Sequence, residues 1–430
     1  MADEKNSRRD PLDQVLCFGN KDMRKPQMAN RGFASSITQV VTVALAVVFS
    51  TTGVHAGQKV ILSFNNTQGA YPLSGLVPDS ADNLYGTTSG GGANNCGSVF
   101  ALSPSGDKWT ETVLYSFAGC QQATQTPKGT LTFDRFGNLY GVLQGFFTSG
   151  SIYRLSKSAA GAWSESIIHS FSDAEGLPNP DLTWDSNGNL YGTTQLDSTG
   201  FSGEVFELSP QTDGSWKETV IYPFYYNKEG GFPVGGPIFD SKGNLYGANY
   251  FGPNNSAGAV YELSPQANGP WTLTILSAGV THGPSSRLTF DSSGNLYGTK
   301  GDGFNDNGAI FQLSPRSGGH WQQKTVHAFS SGSDGSRPVG PLLFDSGGNL
   351  YGATFSGGTG CNFSLCGTVY KLSPQSDGTW KETILHAFES ATGGSEPAWG
   401  LFLDSSGNLF GTTSHGGGRY GYGTVYEISP

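Results

Sequence analysis

The chain has 430 residues, 64 of them Gly, with 13% charged and 12% aromatic. That composition disfavours helices, because Gly costs about 1 kcal/mol relative to Ala in a helix interior, and it suits short strands joined by tight turns. Net charge is −10, and beyond residue 56 there remain 17 Lys/Arg against 29 Asp/Glu, with no basic cluster after Arg31, which argues against nucleic acid as a partner.

The N-terminus reads as an export signal. Arg24, Lys25 and Arg31 precede an apolar run from Val40 to Phe49, followed by Val54-His55-Ala56, which resembles a cleavage site. The run is short for a membrane span, so cleavage is expected rather than anchoring. The 27 residues before Met28 are long for such a leader, and Met28 is the more ordinary start. Residues 1–56 are therefore expected to be a leader and 57–430 a single mature domain. That domain holds Cys96, Cys120, Cys361 and Cys366, an even count that in an exported protein reads as two disulfides.

The first strand signal is Lys59 to Phe64. After it a four-residue phrase, Asn83-Leu84-Tyr85-Gly86, recurs from Asn138, Asn189, Asn244, Asn295, Asn349 and Asn408, the last copy with Phe410 for Tyr. The spacings are 55, 51, 55, 51, 54 and 59 residues. Strand patterns at that period predict a seven-bladed β-propeller. The sixth unit divides into strand a (Gly340 to Phe344), strand b (Leu350 to Thr354), strand c (Thr368 to Ser373) and strand d (Trp380 to Phe388). The last unit stops after strand c, while Lys59 to Phe64 is a d-type strand lacking a, b and c. Together they make one blade. An all-β ring of four-stranded blades, closed by the N-terminal strand, is the expected fold.

The repeated phrase D-x-x-G-N-L-Y-G-T-T, a Gly-rich gap and G-T-V-Y-E-L-S-P resembles the GloVer-type tandem repeat of secreted bacterial proteins that carry a choice of C-terminal anchor. The resemblance covers residues 58–430. It implies export and a propeller-like fold, and carries no activity with it. The chain ends at Pro430, directly after strand c, so a freely released extracellular or periplasmic monomer is expected.

Most repeated residues have structural explanations. The turn Asp at 79, 134, 185, 240, 291, 345 and 404 accepts hydrogen bonds from its own turn amides. His169, His327 and His386 share one slot of strand d and lie whole blades apart, so they cannot meet on one metal ion. The recurring Trp and Tyr read as packing between blades. No metal or cofactor is expected.

Functional residues should break the repeat. The b–c and d–a loops share one face and are long and variable, as functional loops on a rigid scaffold tend to be. Disulfides Cys96–Cys120 and Cys361–Cys366 are predicted on that face. It also carries unpatterned aromatics amid Gly, Asn and Ser: Phe146, Phe147, Phe201, Tyr250, Phe251, Phe304, Phe355, Phe363, Tyr420 and Tyr422. Of these Phe147, Phe201, Tyr250, Phe251, Phe304, Phe355 and Tyr420 are the ligand-binding candidates, because rings beside amide side chains suit sugars or peptides. Lys300, Asp302, Asp306, His415 and Arg419 are the charged singletons, and the only candidates for catalysis. A secreted binding or scaffold module for glycans is the leading expectation. The alternatives are a carbohydrate-active hydrolase or lyase, and a protein–protein platform.

Overall fold

The computed structural model describes residues 57–118, 120, 126–145, 150–195, 202–267, 269–280, 283–301, 307–359, 366–389 and 393–429. The leader expected over 1–56 lies outside them. Seven sheets of four antiparallel strands are present, each ordered a-b-c-d. No helix among the described residues is long and apolar enough to cross a membrane.

The ring closes as expected. Gly57–Ser63 pairs antiparallel with Thr424–Ser429, bringing Val60 opposite Tyr426 and Leu62 opposite Val425. The N-terminal strand thus becomes strand d of blade 7. The pairing covers the outer edge of the last sheet, which would otherwise present a row of open backbone groups.

The core sits between blades. Seven clusters of buried apolar side chains occur among the described residues, each joining two neighbouring sheets. The cluster of Leu76, Phe100, Phe410 and Val425 links blades 7 and 1 like any other pair. The Trp that opens strand d packs on the aromatic residue of the repeated phrase in the preceding blade: Trp216 on Tyr140, Trp380 on Tyr297 and Trp109 on Phe410, with centroids 5.7–6.1 Å apart. Each a–b turn is tied by its Asp. Asp345 Oδ1 accepts the amides of Gly347 and Asn349, while Oδ2 accepts Asn349 Nδ2 and the Tyr351 hydroxyl.

The blades are not all alike. In blades 1, 3 and 5 strand a shrinks to Val77–Pro78, Thr183–Trp184 and Thr289–Phe290. In blades 2, 4, 6 and 7 it extends over Thr126–Phe133, Gly231–Phe239, Ser336–Phe344 and Ser395–Leu403. Strand a of blade 6 thus begins four residues before the expected Gly340. The longer strands carry a bulge, with register shifts between Lys128 and Thr132, Val234 and Ile238, Val339 and Leu343, and Ala398 and Phe402. An extra residue with positive φ admits the bulge, and Gly129, Gly235 and Gly340 supply it at φ 73, 64 and 68. Seven blades cannot alternate perfectly around a ring. Blades 6 and 7 are therefore like neighbours, and in blade 7 the glycine position is taken by Trp399 at φ 59.

Candidate functional site

A cavity of about 590 Å³ opens where the seven a strands converge. Its wall is built from the starts of a strands, including Lys128, Arg337 and Pro397, and the ends of b strands, including Gln144 and Phe355, with Leu73 and Gln195 from the segments just outside those strands in blades 1 and 3. Those positions border the d–a and b–c loops, so the mouth lies on the long-loop face.

The floor is crossed by one hydrogen bond. Trp399 of blade 7 donates its indole N–H to Asp181 Oδ1 of blade 3 over 3.1 Å. The blade 7 bulge holds Trp399 in a left-handed conformation that costs a bulky residue of order 1–3 kcal/mol and concentrates at functional positions. Asp181 is only 3% exposed, and its Oδ2 has no hydrogen-bond partner. Burial pushes its carboxyl above the ordinary aspartate range, opposed by the charge of Arg287, the Trp399 indole and the amide of Gly236.

Arg287 enters from blade 5. Its Nη2 donates to Thr183 Oγ1 at 2.6 Å, while Nε is buried without a partner. Between Asp181 and Arg287 runs Gly235-Gly236 of blade 4. A Cβ on Gly236 would lie 2.2 Å from the Asp181 carbonyl oxygen, and one on Gly235 2.7 Å from the Arg287 nitrogen. Only glycine lets the three backbones approach so closely. Lys128 of blade 2 lines the same cavity, and burial lowers its ammonium below the ordinary lysine value. Arg337 stands over the Phe355 ring at 4.9 Å.

Of the sequence candidates, Phe355 lines this cavity. Tyr250 and Phe251 form a separate rim cluster with Phe232 and Tyr226 in blade 4. Tyr420 stacks on Tyr422 with centroids 6.0 Å apart, and Tyr422 packs against Tyr71. His415 contacts Glu396 through Nδ1 at 2.8 Å and touches the Tyr71 ring, while Arg419 lies over Tyr420. Ser414 Oγ is also 3.0 Å from that same Nδ1. A nucleophile relay needs serine and acid on opposite ring nitrogens, so this trio is no relay. Lys300 ends strand b of blade 5, opposite Ala309. His415, Arg419 and Lys300 are not brought together at the cavity wall. Asp302, Asp306, Phe146, Phe147, Phe201, Phe304, Phe363 and Cys361 lie outside the described residues. Cys96 and Cys120 are joined, with Cα atoms 5.5 Å apart. Cys366 is also disulfide-bonded.

Lys128, Asp181, Arg287 and Trp399 are not among the sequence candidates, because they lie at or beside the a strands and not in the long loops. Their signal lies at the approach to strand a. Three residues after its repeated Pro stand Gly75, Thr130, Asp181, Gly236, Arg287, Pro341 and Gly400, a set in which two opposite charges interrupt small or apolar residues.

The histidines of strand d face the next blade. His169 Nε2 lies 3.5 Å from Glu218 and His327 Nε2 3.4 Å from Glu382, the slot where Tyr115 donates to Glu165 and Ser277 to Gln323. Glu175 and Asp334 complete two trios whose ligand atoms lie within 4.8 Å. Since directly hydrogen-bonded Tyr–Glu and Ser–Gln pairs fill the same slot, a polar stitch between blades accounts for the His–Glu pairs. The three histidines stay in blades 2, 5 and 6.

The model of a family described as the Gloeobacter/Verrucomicrobia repeat matches residues 33–228 and again 182–426. No curated protein matches the chain in sequence. Among solved structures, an ulvan lyase of polysaccharide lyase family PL25, bound to -[GlcA(1-4)Rha3S]-, is 8% identical with a TM-score of 0.56, covering 86% of this chain and 96% of that one. The PQQ-bound aldose sugar dehydrogenase of Streptomyces coelicolor is 13% identical with a TM-score of 0.45, covering 87% and 98%. At 8% identity the likeness to the lyase is one of fold.

Proposed function

This chain belongs to the Gloeobacter/Verrucomicrobia repeat family, and from that premise we propose that it is an exported propeller that binds saccharides at the mouth of its ring. The observation that carries the reading is the mouth cavity itself. Its volume falls within the range of small-molecule sites, and its wall mixes the rings of Phe355 and Trp399 with the amides of Gln144 and Gln195. Aromatic faces stack on sugar rings while amides and charged tips bond hydroxyls. The rim aromatics Tyr250, Phe251 and Tyr420 extend the surface that a longer chain would cross. The disulfide between Cys96 and Cys120 agrees with an oxidising, extracellular location.

Hydrolysis draws less support. Glycosidases use two carboxyl groups, and among the described lining residues Asp181 is the one carboxylate. A lyase has one specific observation in its favour, the lowered ammonium of Lys128, which is the property of a general base. A glycan array probed with the purified protein tests the binding reading. Retention of saccharides, lost in Phe355→Ala, is expected. Uniform silence together with cleavage of any polysaccharide would replace it with the enzyme reading.

A further inference from the structure

We infer that the junctions between blades 2 and 3 and between blades 5 and 6 each bind a divalent cation of the zinc type. The ligands are His169, Glu175 and Glu218 at the first junction and His327, Asp334 and Glu382 at the second. The spacing of the strand d histidines excludes one ion shared among them. One ion at each of two junctions is a separate arrangement.

The polar stitch explains why a histidine faces a glutamate, but its histidine form does not close. Tyr115 and Ser277 reach their partners in the next blade at 2.8 Å. His169 and His327 stop 3.5 and 3.4 Å from theirs, and each Nε2 is buried without a hydrogen-bond partner. Zinc bonds of about 2.0–2.2 Å at tetrahedral angles separate ligand atoms by about 3.4 Å, so the gap matches the edge of a zinc site. Glu218 Oε1 and Glu382 Oε1 are likewise buried and unpartnered. The third ligand completes a trio whose atoms lie within 4.8 Å of one another. Small side-chain rotations close it and leave the fourth position to water. Burial, and then the facing charge of Glu175 or Asp334, pushes Glu218 and Glu382 up to about 7. A cation between the paired acids cancels that repulsion. Imidazole among the donors suits zinc, whereas calcium and magnesium take oxygen ligands.

The chain contains its own comparison. Each blade with a strand d histidine also carries an acid in the following d–a loop, at Glu175, Asp334 and Glu389, whereas blades 1, 4 and 7 carry none there. In blade 3 the loop acid is Glu229, which pairs with Lys228 at 2.9 Å. The amides of Ser172 and Ser330 donate to Glu175 at 2.6 Å and to Asp334 at 2.9 Å, holding each acid at the end of its strand d. At the junction of blades 6 and 7, His386 feels the charge of Glu389. The glutamate position there, opposite Ile428, is Gln58, whose side-chain amide donates to the Gly393 carbonyl at 2.7 Å. That junction has two ligands of the three. The loops of Glu175 and Asp334 run on into the cavity wall at Leu177 and Arg337, so each ion would tie the mouth to the outer rim and to the neighbouring blade.

Calorimetric titration of the untagged, chelator-treated protein with zinc chloride tests this. Two ions per chain are expected, with a higher thermal midpoint in zinc and no displacement by an excess of calcium of about tenfold. His169→Gln and His327→Gln should each remove one ion, the two substitutions together both, and His386→Gln neither. Glu175→Gln and Asp334→Asn, in the d–a loops, serve if a histidine variant does not fold. Zinc that fails to bind, that binds equally in the folded variants, or that yields to calcium would overturn the inference. None of these outcomes bears on saccharide binding at the mouth.

Discussion

Trp399 and Asp181 are 218 residues apart in sequence, sit in blades 7 and 3, and share a 3.1 Å hydrogen bond across the ring. Blades at opposite sides of a propeller are normally linked only through their neighbours. Here one indole spans the gap, and the residue that provides it occupies a backbone position that blades 2, 4 and 6 give to glycine. Two irregularities, a strained aromatic and a buried acid, therefore meet at one point and form the floor of the cavity.

Trp399→Phe keeps the ring and the backbone strain but removes the donor. Asp181 then loses the hydrogen bond on Oδ1 while its Oδ2 already has none. Leaving a buried acceptor unmade costs about 1–3 kcal/mol. Thermal unfolding of the variant should fall accordingly, and an unchanged midpoint would mean that the bond contributes nothing to the closed ring.

Glu111 gives a pH signature. Burial pushes its carboxyl from 4.5 up to about 7, and neither oxygen has a partner. Unfolded chains release this proton near 4.5, whereas the folded protein holds it until about 7. The group is therefore neutral toward stability below 4.5, destabilises progressively as pH rises from 4.5 to 7, and reaches its full penalty above 7. Glu111→Gln should raise stability by about 1–2 kcal/mol at pH 8, a figure reduced for partial exposure, and leave it unchanged at pH 4. Denaturant midpoints at the two pH values measure the difference.

The Cys96–Cys120 bridge closes a loop with a sequence separation of 24. Chain-entropy arguments put the stabilisation from a loop of that length at about 3 kcal/mol. The double variant Cys96→Ser, Cys120→Ser should lower the unfolding midpoint to that extent. Reductant should lower the midpoint of the unaltered protein at least as far, since it also opens the disulfide of Cys366.

Removing residues 57–63 deletes strand d of blade 7 and uncovers the edge of Thr424–Ser429. The seventh sheet keeps three strands, and Lys59 loses its 3.8 Å contact with Glu427. The truncated protein should unfold at a lower temperature and self-associate through the open edge. Size-exclusion chromatography would detect the association, and a monomer of unchanged stability would show that the closing strand is dispensable.

Much of this architecture was legible in the chain. The turn from Asp345 to Asn349 is closed by contacts spanning two to six residues. Its chemistry is therefore written locally, and seven copies of it count the blades. The split last blade was readable for a related reason, since strand alternation shows whether a segment resembles a or d before any pairing exists. Even the alternation of two blade types has a trace in the spacings of 55 and 51 residues.

The cavity was a different matter. Lys128, Asp181, Arg287 and Trp399 come from four blades, and nothing within any one repeat states that they share a wall. Their meeting depends on closing the ring, and their electrostatics depend on how much water that closure excludes. A charge such as Asp181 acquires its raised pKa from burial among other blades, a property that its sequence neighbours do not carry. The amino-acid sequence by itself determined the repeat, the turns and the closure, because these follow from short-range hydrogen bonding and strand periodicity. Only the tertiary structure decided which irregular residues face one another, because that follows from distances through space around a seven-fold ring.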